Sequence, residues 1–378
     1  MKRLRISMVN KSSFSIASSR VVGNVQESLD FVPGTTVRGA LAETWLKANK
    51  PDSDFKEIFT TDKVTFGNLY IRGAKPVPLA AFSCKYYSGF KGDAEKHGAV
   101  DILLSLTREK ESAIHIPAKY QNCEYIENGR QCSAPMKKYR GYYLKDISDG
   151  SLKSVTVGKR LIYHTAVSHT SEAALEGALY SQEIIETGQI FQGEIWVHDD
   201  ALLTKIENFI RSQEVFFLGS DKSTGLGRFE MLSDPEIVNG FDKESLRERI
   251  IQFNERLRLN NGKTYFSITF QSDAVITDKF MRYKSFLEPE DLGIKVADLI
   301  CGVTDSRLRQ GWNAMARLPK EDVIAIEKGS VFVFCADNLD NVLDRLYEAE
   351  VAGIGKRKGE GFGRLTVCDL LHLEEGMK

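Results

Sequence analysis

A glycine-rich segment occurs twice in this chain, and this repeat constrains the fold more than any other feature. Residues Gly219–Phe229 and Gly355–Leu365 both read G-x-x-K-x-x-G-x-G-R followed by an apolar residue. The correspondence extends upstream without a gap, because ten of 40 positions are identical between residues 193–232 and 329–368. Self-similarity at a fixed spacing is typical of a duplicated structural unit. The sequence therefore predicts two copies of one unit, each with a glycine loop.

The hydrophobic pattern around both loops predicts one order of elements: a strand, an amphipathic helix, the loop and a closing strand. An alternating strand opens each half, at Leu4–Met8 and at Phe266–Phe270. This order predicts an α+β fold of two tandem ferredoxin-like domains. We place the domains at residues 1–240 and 241–378. Residues from about 74 to 188 have no counterpart in the second half, and we expect an irregular insertion that projects from the first domain.

Composition narrows the functional classes. The 378 residues are 42% hydrophobic and 27% charged, with a net charge of −1, which is typical of a globular protein without a general affinity for polyanions. Residues 353–365 nevertheless carry a local net charge of +3. No apolar run is long enough to span a membrane, and no signal peptide follows the basic start. We expect a cytoplasmic protein with reduced cysteines.

Glycine loops let a ligand approach backbone N–H groups, and the adjacent Lys and Arg side chains favour an anion such as phosphate. A nucleotide P-loop and a Rossmann motif are excluded, because both need a strand–loop–helix order. One alternative is that the glycines only form a tight turn. Another is a small-molecule enzyme that uses the loops to cradle a nucleotide.

Four segments resemble the RAMP superfamily of CRISPR-associated proteins. They are Phe31–Leu41, which contains P-G-T-T-V-R-G-A-L, Gly188–Ile195, the two glycine loops, and Trp312–Phe332. With the large insertion, these segments resemble the type III-D member of the group that binds the guide-RNA handle. The resemblance implies a non-catalytic subunit that caps a type III CRISPR effector and holds the 5′ handle of the CRISPR RNA. The implied partners are that RNA, the large signalling subunit and a backbone RAMP subunit.

The predicted RNA-binding residues combine the charged and glycine positions of the loops with one helix arginine and one tryptophan. They are Arg38, Lys222, Gly225, Gly227, Arg228, Trp312, Lys356, Arg357, Lys358, Gly361, Gly363 and Arg364. We expect the second loop to be the main RNA contact, because it carries three consecutive basic residues. The tyrosines at 86, 87, 142 and 143 are further candidates for base stacking.

We predict no catalytic residues. The alternative is a metal-independent endoribonuclease that processes CRISPR RNA precursors, for which His164 and His169 are the candidates. Their spacing of five residues does not place both on one face of a helix or a strand, so polar insertion histidines are the favoured interpretation.

We expect no cofactor, with zinc as the open alternative. Cys84, Cys123 and Cys132 lie in the insertion, with His97 and His115 between them. A metal crosslink would stabilise an irregular segment. The spacing of nine residues between Cys123 and Cys132 is not a C-x-x-C knuckle, so the indication from sequence is weak. The cysteines at 301, 335 and 368 are expected in the core.

Overall fold

The structure is a computed structural model that describes residues 1–20, 23–112, 122–127, 129–167, 170, 177–313 and 318–374. The fold is mixed α/β. The described strands, in chain order, are β1 (Lys2–Asn10), β2 (Val25–Gln26), β3 (Val64–Phe66), β4 (Tyr70–Ile71), β5 (Lys75–Pro76), β6 (Ala81–Cys84), β7 (Ala99–Asp101), β8 (Ile126–Glu127), β9 (Arg130–Gln131), β10 (Met136–Lys138), β11 (Tyr142–Lys145), β12 (Leu152–Val155), β13 (Lys159–His164), β14 (Tyr180–Ile185), β15 (Ile190–Val197), β16 (Val215–Phe217), β17 (Arg228–Met231), β18 (Glu236–Val238), β19 (Thr264–Phe270), β20 (Ala297–Val303), β21 (Ser306–Arg309), β22 (Trp312–Asn313), β23 (Leu318–Pro319), β24 (Val323–Ile326), β25 (Val331–Ala336) and β26 (Leu365–Val367).

The described helices are α1 (Gly34–Ala48), α2 (Ser53–Phe59), α3 (Leu103–Glu111), α4 (Asp200–Arg211), α5 (Lys243–Leu257) and α6 (Asp340–Ala352). Side-chain caps begin several of them. Asp242 accepts hydrogen bonds from the backbone N–H groups of Glu244 and Ser245, and these bonds cap the start of α5. None of these helices is long and apolar enough to cross a membrane, as judged over the part of the chain that the structure describes.

The first sheet has the order β16-β17-β1-β15-β3, with β18 on β1 and β4 on β15. The opening strand β1 is therefore central and antiparallel to both β15 and β17. Leu4, Ile6 and Met8 are buried on one face of β1, as their alternation predicted. Helices α1 and α4 cover this face, and together these elements form the first hydrophobic core.

The second sheet has the order β20-β25-β19-β26. Its opening strand β19 lies between β25 and β26, as β1 lies between β15 and β17 in the first sheet. Alternation is typical of a strand with one exposed face, but β19 is buried on both faces, because Ser267 and Thr269 are also buried. In this half, α5 precedes the opening strand. The described segment between β19 and β20 contains only a 3₁₀ turn at Pro289–Leu292 where the first half has α1 and α2.

The two glycine loops adopt the same backbone conformation at matched positions. Asp221 and Arg357 have φ of 56° and 59°, and each begins a 3₁₀ turn. The glycines that follow, Gly225 and Gly361, have φ of 91° and 88°. The loops therefore correspond at the spacing that the sequence predicted.

The gapless correspondence upstream of the loops is wrong. Helices α4 and α6 begin at Asp200 and Asp340, which are 140 residues apart, whereas the loops are 136 residues apart. Their buried faces also match at 140, because Leu202 and Leu203 correspond to Val342 and Leu343. The first copy has the additional residues between its helix and its loop, where β16 lies.

The predicted insertion is not irregular, and it does not project from the first half alone. It forms the small sheets β10-β6-β7 and β12-β11-β5, and β13 and β14 pair with each other. Leu79 and Leu103 from this segment belong to the hydrophobic core of the second half. Asp101 and His372 form a buried ion pair at 2.6 Å that joins the insertion to the C-terminal segment. The insertion therefore packs into the second half.

Candidate nucleic-acid interface

Helix α1 lies between the two glycine loops. From the first loop, Lys222 Nζ is 2.7 Å from Glu43 Oε2 in the middle of α1. From the second loop, Glu360 Oε1 is 3.8 Å from Arg38 Nη1, one turn inside the same helix. The segment P-G-T-T-V-R-G and the second loop are distant in sequence, and the fold brings them into contact.

Most of the loop glycines have a structural role. A Cβ at Gly227 or Gly363 would lie 2.3 or 1.9 Å from the carbonyl oxygen of the residue nine positions earlier, Leu218 or Ile354. A Cβ at Gly361 would lie 2.5 Å from the carbonyl oxygen of Phe66 in β3. These distances explain the glycines by close backbone packing, as in the tight-turn alternative. Gly225 differs, because its Cβ position faces open space.

Three cations surround one carboxylate at the second loop. Glu360 accepts from Arg357 Nη2 at 2.6 Å, lies 3.0 Å from Lys320 Nζ, and is approached by Arg38. Burial alone would raise the pKa of Glu360, but the adjacent Arg357 and Lys320 outweigh it and the pKa is lowered. The carboxylate is therefore ionised, and the four side chains carry a formal net charge of +2. The cations keep 22–31% of their side-chain surface exposed.

A groove between the two halves borders this cluster. The first half contributes Phe31, Pro33 and Thr35, from the start of α1, and the second half contributes Arg357 and Phe362. The Arg357 guanidinium lies 4.8 Å from the centroid of the Phe362 ring. Lys320 Nζ is also 3.0 Å from Thr35 Oγ1, so it connects the groove wall to α1. The groove therefore offers cationic and aromatic side chains together.

A β-hairpin lies beside the groove. Strands β21 and β24 form its base, and β22 and β23 pair toward its tip. Trp312 in β22 is 61% exposed, which is unusual for so large an apolar ring. Gln310 and Gly311 at the start of the tip line the groove. The predicted stacking residue is thus exposed close to the cationic cluster.

Arg364 is not placed to contact RNA, and this prediction is revised. Only 5% of Arg364 is exposed. Its Nη1 and Nη2 donate to the carbonyl oxygens of Val351 at 2.9 Å and Glu350 at 3.1 Å, at the end of α6. The guanidinium also lies 4.0 Å from the ring centroid of Trp196 in the first sheet. Arg364 therefore caps a helix and joins the two halves.

The remaining predicted cations point in different directions. Arg228 is exposed and pairs with Glu230 at 2.8 Å. Lys356 Nζ lies 3.0 Å from Met281 Sδ. Lys358 is close enough to His198 to contribute, after burial, to the lowered pKa of that imidazole. Of the basic triplet, only Arg357 lines the groove.

The four candidate tyrosines divide into two pairs. Tyr142 and Tyr143 are buried, so they cannot stack on bases. Tyr86 and Tyr87 are exposed on the insertion.

The sequence model of the RAMP superfamily matches residues 17–230, which is more than half of the chain. The chain belongs to the RAMP superfamily. No curated protein matches it significantly. Similar solved chains include one in the cryo-EM structure of the type III-B Cmr-beta bound to cognate target RNA, with 12% identity over 87% of this chain and 86% of that chain and a TM-score of 0.41. Another is an RAMP protein binding different RNA substrates, with 8% identity over 98% and 100% and a TM-score of 0.35. With TM-scores below 0.5, neither likeness establishes a role for this chain.

Sequence reasoning missed two central residues of this RAMP site. Lys320 lies within the Trp312–Phe332 segment and Glu360 within the second glycine loop, but neither was among the predicted RNA-binding residues. A short motif does not show that three cations converge on one carboxylate, because they come from α1, the hairpin and the second loop.

The histidine candidates of the RAMP chain do not form a described acid–base pair. His164 lies in β13 and its ring stacks on Tyr180, with centroids 4.8 Å apart. His169 lies outside the described residues.

Proposed function

We propose that this RAMP protein is a non-catalytic RNA-binding subunit of a type III CRISPR ribonucleoprotein. In this proposal it caps the complex and holds the 5′ handle of the CRISPR RNA, as the type III-D resemblance implies. The observation that carries the proposal is the cluster of Arg38, Lys320 and Arg357 around Glu360, at a groove lined by aromatic rings.

The chemistry of the cluster fits a single-stranded RNA backbone. Three cations on one carboxylate leave two positive charges that a phosphate can pair with, and arginine donates to phosphate through two parallel hydrogen bonds. Phe362, which is half-buried, and the exposed Trp312 supply surfaces on which unpaired bases can stack, whereas Phe31 is buried and cannot. The groove lies between the two halves, so RNA in it would contact both.

We infer that each half is a ferredoxin-like unit, the second in a modified form. The support is the common strand order. The opening strand, β1 or β19, lies between the strand that precedes the second helix of the unit (β15 or β25) and the strand that follows the glycine loop (β17 or β26). The second unit has α5 before its first strand instead of a helix after it. In this interpretation the first loop, whose Lys222 is paired with Glu43, has the smaller part in RNA binding.

The partners proposed are the CRISPR RNA, the large signalling subunit and a backbone RAMP subunit. The test is an equilibrium binding measurement with the full chain and labelled CRISPR RNA. An intact 5′ handle should bind at least about tenfold more tightly than a scrambled handle of equal length, which corresponds to about 1.4 kcal/mol. Equal affinities would contradict handle recognition.

The same preparation separates the two enzymatic alternatives. Repeat RNA should remain intact after incubation with the protein in the presence of a chelator. Cleavage that is lost in His164→Ala would replace the proposal with the endoribonuclease alternative. Tight nucleotide binding without RNA binding would favour the nucleotide-cradling enzyme.

A further inference from the structure

Four side chains with metal-binding atoms meet at one end of the small sheet β10-β6-β7. They are Cys84, His97, Cys123 and Cys132, and their ligand atoms all lie within 4.8 Å of one another. The Sγ atom of Cys123 is 3.4 Å from Nδ1 of His97, and the Sγ atoms of Cys84 and Cys132 are 3.9 Å apart. His115, the other histidine noted in this segment, lies outside the described residues.

These separations fit a tetrahedral zinc ion. With Zn–S bonds of about 2.3 Å and a Zn–N bond of about 2.0 Å, ligand atoms of a tetrahedron lie roughly 3.5–3.8 Å apart. The Cys123–His97 and Cys84–Cys132 separations agree with these values to about 0.1 Å. A disulfide explains the geometry less well, because it needs sulfur atoms about 2.05 Å apart and would leave the third thiol and the imidazole without a role.

Three separate segments of the chain deliver the four ligands. Cys84 ends β6, and His97 precedes β7, so the paired strands of one sheet hold both. Cys123 and Cys132 flank the hairpin of β8 and β9. Backbone hydrogen bonds fix the base of this hairpin, from Cys132 N to Tyr125 O at 2.9 Å and from Cys123 N to Ala134 O at 2.7 Å.

The surroundings orient the imidazole ligand. The His97 ring lies between the rings of Tyr87 and Tyr125, at centroid distances of 4.3 and 4.1 Å. This sandwich fixes the plane of the imidazole, as partners of zinc-bound histidines usually do.

The local apolar core is too small to hold this segment by itself. Its buried members are Cys84, Cys123 and Ala134, with Cys132 and Met136 at the edge. We infer that Cys84, His97, Cys123 and Cys132 bind one structural Zn²⁺ ion, which fixes the β8–β9 hairpin to the insertion. Thiolate and imidazole ligands in a tetrahedral arrangement favour zinc over magnesium or calcium. With four protein ligands the site is closed, so its role is structural rather than catalytic.

The test uses the full chain, purified without a polyhistidine tag and without chelator. Elemental analysis should find one zinc per chain, and His97→Ala and Cys132→Ser should each lower this at least about fivefold. The matched control is Cys301→Ala, which removes a buried cysteine that lies beside Thr107 instead of in the cluster, and it should keep its zinc.

A second measurement does not depend on the variants folding. After zinc is replaced by Co²⁺, the wild-type chain should show the visible absorption of tetrahedral Co²⁺ together with sulfur-to-cobalt charge transfer. The inference is overturned if the wild-type chain holds no zinc and takes up no Co²⁺. It is also overturned if mass spectrometry finds Cys84 and Cys132 joined as a disulfide in freshly purified protein, or if both ligand variants retain full zinc.

Discussion

Arg364 and Arg228 occupy the same position of the repeated motif, yet their replacement should have opposite consequences. Arg364 is buried between Trp196 and the end of α6, whereas Arg228 is about half exposed and paired with Glu230. We expect Arg364→Ala to destabilise the fold strongly and Arg228→Ala to leave it almost unchanged. Because the two arginines occupy matched positions of the repeat, Arg228→Ala serves as the control for Arg364→Ala.

The magnitude follows from the contacts. Two hydrogen bonds from a charged donor contribute about 1.5–3 kcal/mol each, and a desolvated cation–π contact contributes about 2 kcal/mol. Burial opposes them, since it lowers the pKa of Arg364 from 12.5 to about 10 despite Glu194 and Glu350 nearby. At about 1.4 kcal/mol per pKa unit, this costs about 3 kcal/mol. Arg364→Ala should therefore reduce the free energy of unfolding by about 2–5 kcal/mol.

The assay is urea unfolding followed by tryptophan fluorescence, to which Trp196 contributes together with Trp45 and Trp312. Arg228→Ala should change the free energy of unfolding by less than about 0.5 kcal/mol, as exposed ion pairs usually do. Equal stabilities of the two variants would refute the structural role of Arg364. So would a folded Arg364→Ala protein of wild-type stability that has lost RNA affinity.

Three further predictions concern the loops and the buried ion pair. Gly363→Ala should destabilise the fold by more than about 3 kcal/mol, because the added Cβ would lie 1.9 Å from Ile354 O. Gly225→Ala, at a position that faces open space with φ +91°, should cost only about 1–2 kcal/mol. Similar melting temperatures of the two variants would contradict this. Burial lowers the pKa of His372, but Asp101 and Asp369 together outweigh it, so the net effect is a raised pKa. The stabilising charge of His372 is therefore complete below about pH 6.5 and is lost as pH rises through the raised pKa. Urea titrations should show this loss in the wild type and not in Asp101→Asn. Glu360→Gln should lower the free energy of unfolding by about 1–3 kcal/mol, because it leaves buried cations without their carboxylate partner. It should also tighten RNA binding severalfold in fluorescence anisotropy, because that carboxylate competes with phosphate. Weaker binding would count against the proposed site.

The sequence was sufficient for the strand, the helix and the closing strand around each loop, although not for β16, because those elements carry clear local patterns. The alternation of Leu4, Ile6 and Met8 also appeared as predicted, with all three buried on one face of β1. The gapless repeat was wrong for a physical reason. An α-helix repeats its face every 3.6 residues, so a shift of four residues still places apolar positions on apolar positions. The additional residues before the first loop were therefore invisible in the comparison.

The site was predicted only in part, because its residues are defined by tertiary contacts. The same motif arginine is exposed in one loop and buried in the other, and its contacts with Trp196 and with the end of α6 account for the difference. Lys320 becomes important because the hairpin places it beside Glu360. The cluster of Cys84, His97, Cys123 and Cys132 gave a weak signal because its ligands come from three separate segments. Packing of the insertion on the second half likewise leaves no local pattern.

The most direct test of RNA binding at the groove is the salt dependence of handle affinity. The measurement compares the wild type with the triple variant Arg38→Ala, Lys320→Ala and Arg357→Ala in fluorescence anisotropy over a series of salt concentrations. Each phosphate contact with single-stranded RNA contributes about 0.7 to the slope of log K against log salt. If the three cations contact phosphates, the slope should flatten by about 2 and the affinity should fall. An unchanged slope and affinity in a folded triple variant would contradict RNA binding at this groove.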